Sequence, residues 1–269
     1  MERRKTKTWE ELTFADNFLF CKILESEPEL CRQILELLLG IKINRLEVPQ
    51  SEKTMREFSE TKGVRFDVYT RDDDRIFDIE MQTTSSSNLP KRSRYYQSVI
   101  DMDNLQRGES YRTLKDSYII FLCLDDIFGK GLPVYFFENA CQQDQSLKLD
   151  DRAYKVFFNA EDCDKMESED MRDFFMFLRG RPAVSQLSKS IGEKVAFAKR
   201  NMDWRRFYMT WEQEIKFQRF DAKEEGKIEA SRENARNLLK MNLGTNEQIA
   251  QACSLPLDEV LALKEELAR

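Results

Sequence analysis

The sequence predicts an α/β protein with a mixed sheet, and three observations support this prediction. A helical pattern opens the chain, a β-hairpin pattern follows it, and a strongly apolar strand pattern comes after a further helix. The chain has 269 residues, of which 41% are hydrophobic and 34% are charged. This length allows one large domain, or one domain with a small tail.

The first predicted element is one long amphipathic helix over residues 14–39. Its apolar residues recur at three- and four-residue spacing, which places them on one face of a helix. They are Leu19, Ile23, Leu30, Ile34 and Leu38. Gly40 is expected to end this helix, because glycine favours the position after a helical C-terminus. Residues 44–48 are expected to form a short strand.

The next predicted element is a hairpin. Residues 64–70 and 76–82 alternate apolar and polar side chains, and the charged segment 71–75 separates them. Alternation with a period of two on both sides of a short polar connection predicts two antiparallel strands. If the turn centres between the third and fourth residues of that segment, Asp67 lies directly opposite Glu80.

The two faces of this hairpin are expected to differ in character, because successive strand residues point to opposite sides. One face carries only apolar residues, namely Val64, Phe66, Val68, Phe77, Ile79 and Met81. The other face gathers charged and amide side chains, namely Arg65, Asp67, Asp78, Glu80 and Gln82. The same register pairs Tyr69 with Asp78.

Two carboxylates in directly opposite positions need an explanation. Such residues have Cβ atoms about 4.5–5.5 Å apart, and like charges there are destabilising. A cation between Asp67 and Glu80 would remove this cost, and Mg²⁺ takes oxygen ligands from one or two carboxylates, waters and phosphates. The alternative is a solvated face on which the two residues have no function.

The remaining pattern completes the α/β order. A polar loop over residues 83–88 leads to a helix that begins near Pro90, a residue that suits the first helical turn. Strands are predicted at 116–124 and 134–137, with a further short one at 157–158. Helices are expected from about residue 168. On the helix after Pro90, four polar residues share one face: Arg94, Gln97, Ser98 and Asp101.

Composition excludes several classes of active site. The chain has no histidine, so it cannot use a histidine base, a Ser-His-Asp triad or a histidine-ligated zinc. The six cysteines form no C-x-x-C pair, which favours buried free thiols in a reducing compartment. No signal peptide opens the sequence, and no apolar run could span a bilayer. We therefore expect a cytoplasmic protein without a membrane partner.

Several motifs, in the same order, resemble those of the Rpn family of recombination-promoting nucleases, also described as PD-(D/E)XK nuclease family transposases. They are residues 13–20, 63–69 with 77–82, 89–98, and 118–123 with 125–129. The resemblance covers roughly residues 10–220. It implies a restriction-endonuclease-like core, a mixed sheet flanked by helices with the metal-binding hairpin at its centre. We expect this nuclease-like domain over residues 1–220.

The resemblance also implies a Mg²⁺-dependent DNA endonuclease, with Mn²⁺ as an alternative metal. Asp67 would be the first acidic metal ligand and Glu80 the acid of the (D/E)-X-K element. Gln82 then occupies the usual lysine position, where it can bind a water but carries no charge. A catalytically weak or inactive DNA-binding or self-associating module of the same fold is the alternative.

Other residues are candidates at this site. Asp16 is either a further metal ligand or an acid favoured by the start of a helix. The net charge of −6 means that DNA affinity needs locally concentrated basic residues. Lys91, Arg92 and Arg94 could bind DNA and supply the charge that Gln82 lacks. Gln97 could contact a phosphate or water near the metal.

The C-terminal segment, residues 221–269, is predicted to be a helical tail. A charged helix over 221–242 ends before Gly244, and Thr245 with Gln248 forms a capping-box pattern. Two short helices follow, which could indicate a DNA-binding helix-turn-helix. The last helix is acidic and would repel phosphates, so partner contact or homo-oligomerisation through these helices is the favoured interpretation.

Overall fold

The computed structural model describes residues 7–55, 63–84 and 88–267. Its strands are β1 (Gln50–Met55), β2 (Val64–Arg71), β3 (Arg75–Gln82), β4 (Asp116–Cys123), β5 (Val134–Phe137) and β6 (Ala153–Asn159). Its α-helices are α1 (Asn17–Ser26), α2 (Pro28–Leu39), α3 (Leu89–Asn104), α4 (Glu169–Leu178), α5 (Gln186–Arg200), α6 (Met202–Lys240), α7 (Asn246–Cys253) and α8 (Leu257–Leu267).

The six strands form one mixed sheet in the order β1-β2-β3-β4-β6-β5. The β1–β2, β2–β3 and β5–β6 pairs are antiparallel, whereas β3–β4 and β4–β6 are parallel. The helix α3 supplies the crossover that the parallel β3–β4 pair requires. The predicted mixed α/β sheet is therefore confirmed, and β3 lies inside it rather than at an edge.

Helices cover both faces of the sheet. On one face α3 packs on β4 and β6, in a core cluster that includes Leu89, Ile100, Ile119, Phe121 and Phe157. On the other face α1 contacts β1 and β2. The ring of Phe158 in β6 stacks on that of Phe175 in α4 on this second face, with centroids 5.4 Å apart. The central strands are thus buried on both sides, as parallel sheets usually are.

The single helix predicted over residues 14–39 is wrong. The chain forms two helices, α1 and α2, which break at Glu27 (φ −128°, ψ 72°) and Pro28. Proline has no N–H to donate, and it disfavours a helical conformation in the residue before it. Gly40 ends α2 with a φ of +63°, as expected.

The strand predicted at residues 44–48 is also wrong, because this segment is a loop. Glu47 contacts the sheet there: its N–H donates to the carbonyl of Arg71, and its carbonyl accepts from the Thr70 hydroxyl. The first strand is instead β1, whose sequence is mostly polar. The strands predicted at 116–124, 134–137 and 157–158 correspond to β4, β5 and part of β6.

The chain divides into two compact units, one ending at Trp204 and one beginning at Arg205. Residue 220, where the sequence suggests a boundary, lies inside α6. The second unit has its own small apolar core, which is formed by the end of α6 together with α7 and α8. Its buried residues are Ala235, Ile249, Ala250, Cys253, Val260 and Leu263. The capping box of Thr245 and Gln248 is formed as predicted.

Two further predictions concern cysteines and membranes. All six cysteines are free, and five of them are buried, with Cys141 partly exposed. Among the residues that the structure describes, no helix is long and apolar enough to cross a membrane.

Candidate active site

The hairpin has the predicted register. Val68 pairs with Ile79, Tyr69 with Asp78, and the paired stretch continues to the turn. Beyond the Val68–Ile79 pair, β2 and β3 are connected by hydrogen bonds between side chains and backbone. The N–H of Asp67 donates to Oε1 of Glu80 at 2.9 Å, and the N–H of Met81 donates to Oδ2 of Asp67 at 3.0 Å. Each carboxylate is therefore held by the backbone of the opposite strand.

This polar part of the hairpin is not a solvated face. Glu80 is 1% exposed and Asp78 is 0% exposed, because β3 is an interior strand and α3 covers this side. The solvated face that the sequence left open therefore does not describe Glu80 and Asp78, whereas Asp67 is partly exposed. A buried carboxylate loses its hydration and must gain partners or a cation in return.

Phe66 departs from the predicted faces. Its ring lies 5.1 Å from that of Tyr96 in α3 and 5.7 Å from that of Tyr69, so it packs on the α3 side. Glu52, which lies opposite Asp67 in β1, has a φ of +50°. The pairing of β1 and β2 is interrupted at this position and resumes in the same register on either side.

The helix α1 contacts the hairpin through Asn17. Its Nδ2 donates to Oδ1 of Asp67 at 2.7 Å, and Cys21, one turn later, donates through Sγ to the Asp67 carbonyl at 3.2 Å. The Oδ1 atom of Asn17 is buried and has no hydrogen-bond partner among the described residues. An unused amide oxygen beside a carboxylate is a ready ligand for a hard cation. The sequence reasoning missed Asn17, although it directly follows the candidate Asp16.

Asp16 itself holds the turn before α1. Its carboxylate accepts from Lys7 Nζ at 2.7 Å and from the N–H and hydroxyl of Thr13 at 2.7 and 2.9 Å. None of its recorded partners in the described part of the chain belongs to the hairpin. Asp16 immediately precedes the first turn of α1, but its side chain forms no cap hydrogen bond with that helix. Asn17 is the residue that reaches Asp67.

Of the three predicted basic residues, Arg92 reaches the carboxylates. Its Nη2 forms an ion pair with Oε2 of Glu80, and its Nη1 donates to Oε1 of Gln82 at 3.3 Å. Its Nε donates to the Tyr96 hydroxyl at 3.0 Å. The guanidinium also lies over the rings of Tyr96 and Phe121, at 5.1 and 5.2 Å. Lys91 and Arg94 are exposed on the outer side of α3.

The two candidate glutamines have different positions. Gln82 lies at the end of β3, where it accepts from Arg92 and donates to the carbonyl of Thr84. Gln97 is buried and donates to the Ser117 hydroxyl at 2.7 Å and to Asp101 at 2.9 Å. Ser117 pairs with Ile76, near the start of β3, so the structure does not bring Gln97 to the carboxylates. Gln97 lies five residues after Arg92 in α3, about 7.5 Å further along the helix axis and about 140° around it, so only Arg92 faces Glu80.

Burial sets the protonation chemistry of this region. It raises the pKa of Glu80, and the nearby charge of Asp67 raises it further, against the effect of Arg92. Burial also raises the pKa of Asp67, against the hydrogen bonds from Met81 and Asn17. Burial raises the pKa of Asp78 well above its usual value, and the nearby charges of Glu80 and Asp67 raise it further.

The donor set suits a hard divalent cation. Among the described residues, no three His, Cys, Asp or Glu side chains gather as a metal-binding group. Mg²⁺ does not need such a group, because it is commonly held by one or two carboxylates and keeps several waters. Asp67, Glu80 and the unpaired amide oxygen of Asn17 offer only oxygen ligands, and the excess of buried carboxylates over nearby cations favours a positive ion.

Comparison with known proteins gives one family. A family model described as PD-(D/E)XK nuclease family transposase matches residues 17–181, more than half of the chain. The match contains the hairpin, α1, α3 and the whole sheet. It agrees with the restriction-endonuclease-like arrangement of a mixed sheet between helices. The comparisons with curated proteins and with solved structures gave no match.

Proposed function

This chain belongs to the PD-(D/E)XK nuclease family transposases, and we propose that it is a Mg²⁺-dependent DNA endonuclease of the recombination-promoting type. The observation that best supports this proposal is the Asp67–Glu80 pair. The two carboxylates meet across the middle of a buried sheet, where each one binds the backbone of the other strand.

Asp67 and Glu80 are the proposed metal ligands, with the amide oxygen of Asn17 as a further oxygen nearby. A bound Mg²⁺, or Mn²⁺ in its place, would polarise a phosphate oxygen and lower the pKa of a bound water. The chain's own task is to keep these ligands fixed, because catalysis of this kind depends on groups held in position before the reaction. The hydrogen bonds from Met81 and Asn17 fix both oxygens of Asp67.

Arg92 and Gln82 are the proposed partners of the substrate. Gln82 can orient a water through its amide, and Arg92 supplies a positive charge beside it that glutamine lacks. A guanidinium near the developing negative charge of a phosphate stabilises the transition state. Lys91 and Arg94, exposed on the same helix, can bind the DNA backbone. Through this local basic group, a chain with a net charge of −6 could bind DNA.

The second candidate function is a DNA-binding or self-associating protein with weak or no catalysis. The observation that favours self-association is the exposed apolar surface of the C-terminal segment, where Met241 is 67% and Leu243 is 56% exposed. We propose that the helical tail, 221–269, takes part in homo-oligomerisation. The free thiols support a cytoplasmic, reducing location.

Cleavage of supercoiled plasmid tests the proposed function. Purified wild type should nick or linearise the plasmid with Mg²⁺ and should not do so with EDTA. Asp67→Asn should lose this activity. Asp73→Asn, which removes an exposed carboxylate from the turn of the same hairpin, should retain it. DNA binding without metal-dependent cleavage by the wild type would favour the second candidate function.

A further inference from the structure

Arg92 binds the one oxygen of the carboxylate pair that neither the hairpin backbone nor Asn17 holds. Oε1 of Glu80 accepts from the Asp67 backbone, and the oxygens of Asp67 accept from Met81 and Asn17. Oε2 of Glu80 accepts from the guanidinium of Arg92. This oxygen is therefore held by a side chain that can rotate away, whereas the other three are held by backbone or by a short amide.

A divalent cation on Glu80 competes with this ion pair. A metal ligand and a salt-bridge acceptor use the same lone pairs of the carboxylate, and the cation and the guanidinium repel each other at contact distance. The competition is strong here because Glu80 is 1% exposed, so water screens the charges weakly.

We propose that Arg92 is an internal counterion, which neutralises Glu80 until a divalent cation replaces it and then binds a phosphate of the DNA. This inference rests on the proposed function. It also explains why the metal would bind before Arg92 can contact the DNA productively. The same guanidinium serves both states.

The surroundings of Arg92 suit such an exchange. Its side chain is 30% exposed, so it lies between the buried carboxylate and the surface on which Lys91 and Arg94 are found. The Tyr96 hydroxyl and the rings of Tyr96 and Phe121 also contact the guanidinium. These neighbours are uncharged, so they do not neutralise the guanidinium. The planar fork of arginine matches phosphate as well as carboxylate.

The competing interpretation is that Arg92 and Glu80 form a permanent structural ion pair. The two interpretations predict opposite changes in metal affinity when Arg92 is removed. If Arg92 only supports Glu80, its removal disorders a metal ligand and weakens metal binding. If Arg92 competes with the metal, its removal strengthens metal binding in the absence of DNA. If Arg92 competes with the metal, its removal should also slow DNA cleavage, although the metal binds more tightly. The reason is that the DNA phosphate no longer has a guanidinium to bind.

Calorimetric titration with Mn²⁺ at fixed ionic strength tests this difference, with wild type, Arg92→Gln and Arg94→Gln. Arg92→Gln should bind Mn²⁺ about tenfold more tightly, because loss of a contacting positive charge is worth at least about 1.4 kcal/mol at a partly buried site. Arg94→Gln makes the same change in net charge on the exposed side of α3 and should change the affinity by less than about twofold. With saturating Mn²⁺, Arg92→Gln should cleave plasmid more slowly than Arg94→Gln.

Unchanged or weaker Mn²⁺ binding by Arg92→Gln would overturn the exchange while leaving the proposed nuclease intact. Absence of both Mn²⁺ binding and cleavage in the wild type would overturn the proposed function and the exchange together. A measurement on the wild type tests the exchange even if the Arg92→Gln variant folds poorly. The Nε–H resonance of Arg92 should shift when Mg²⁺ saturates the protein, and an unchanged resonance contradicts the exchange.

Discussion

Asn17 donates a hydrogen bond of 2.7 Å to the Asp67 carboxylate, and so connects the first helix to the central hairpin. The bond crosses from α1 to β2 over 50 residues of sequence. It leaves the amide oxygen of Asn17 buried and without a partner in the described residues. The helix therefore contributes a neutral amide to the carboxylate pair, while the acid beside it, Asp16, binds Lys7 and Thr13.

Replacement of Asn17 by alanine should lower plasmid cleavage by about 10- to 100-fold at subsaturating Mg²⁺, the usual effect of losing a partner of a metal ligand. The reason is that Oδ1 of Asp67 loses the donor that orients it. Initial rates across a Mg²⁺ series measure the effect, which should appear as a higher metal requirement.

Asp16→Asn is the matched control for this prediction. It should lower the free energy of unfolding by about 1 kcal/mol, because it weakens the bonds to Lys7 and Thr13. Its cleavage rate should stay close to that of wild type. Loss of cleavage in Asp16→Asn, with normal cleavage in Asn17→Ala, would show that Asp16 is the important residue of the pair.

The register of the hairpin could be predicted because it depends on local information. A period of two and a charged turn determine which residues pair, and the structure has the same pairs. The break between α1 and α2 also had a local signal, Pro28, but the apolar stripe continues across it because both helices bury one face. β1 escaped detection because an edge strand of mostly polar residues has no apolar alternation.

The contacts of the candidate site were harder to predict because they depend on how helices are rotated against the sheet. Lys91, Arg92 and Arg94 are equivalent in sequence, and only the phase of α3 selects Arg92, together with Tyr96 one turn later. Likewise, the choice of Asn17 over Asp16 depends on where α1 begins and on which of its faces meets β2. Neither quantity can be read from spacing within a single element.

A positive charge introduced at position 82 should restore part of the plasmid cleavage that is lost when Arg92 is replaced. Arg92→Gln should reduce cleavage, since the site loses its guanidinium, and Gln82→Lys added to it puts a cation next to Glu80 again. We expect the double variant to cleave plasmid several-fold faster than Arg92→Gln alone. Single-turnover cleavage at saturating Mg²⁺ measures this effect.

Gln82→Lys alone serves as the reference for that comparison. It should not exceed wild type, because it places a second cation beside Arg92 and removes the amide oxygen that Arg92 uses. If the double variant is as slow as Arg92→Gln, the charge of Arg92 is not what the reaction requires.

The core of the C-terminal unit should be sensitive to a single truncation. Ile249 is 2% exposed in the cluster of α6, α7 and α8, so Ile249→Ala should destabilise this unit by about 2–5 kcal/mol. Hydrogen exchange should show faster exchange of the α7 and α8 amides, with unchanged protection in the sheet.

Arg232→Ala is the comparison for Ile249→Ala. It removes an ion pair with Glu259 in which the arginine side chain is 43% exposed, and solvent-exposed pairs contribute little to stability, so the α7 and α8 amides should exchange almost as slowly as in wild type. Equal effects of the two variants would contradict a unit held together by its apolar contacts.

The buried carboxyl of Asp78 should make stability depend on pH in a defined direction. Burial raises the pKa of Asp78 above its value in the unfolded chain, about 3.9. A raised pKa in the folded state means that the folded protein is favoured while the group is protonated. Its contribution is therefore fully present below about pH 4 and is lost as the pH rises through the folded-state pKa.

Asp78→Asn removes this loss, because the amide stays neutral at every pH. In EDTA, the variant should be more stable than wild type at pH 7, with a gain of about 1.4 kcal/mol for each pH unit by which the pH exceeds the unfolded-state pKa, up to the folded-state pKa. The difference should shrink toward zero near pH 4. Urea denaturation at several pH values measures this trend. Asp73→Asn, at an exposed position of the same hairpin, should show no comparable trend. A pH-independent gain in Asp78→Asn would mean that the pKa of Asp78 is the same in the folded and unfolded states.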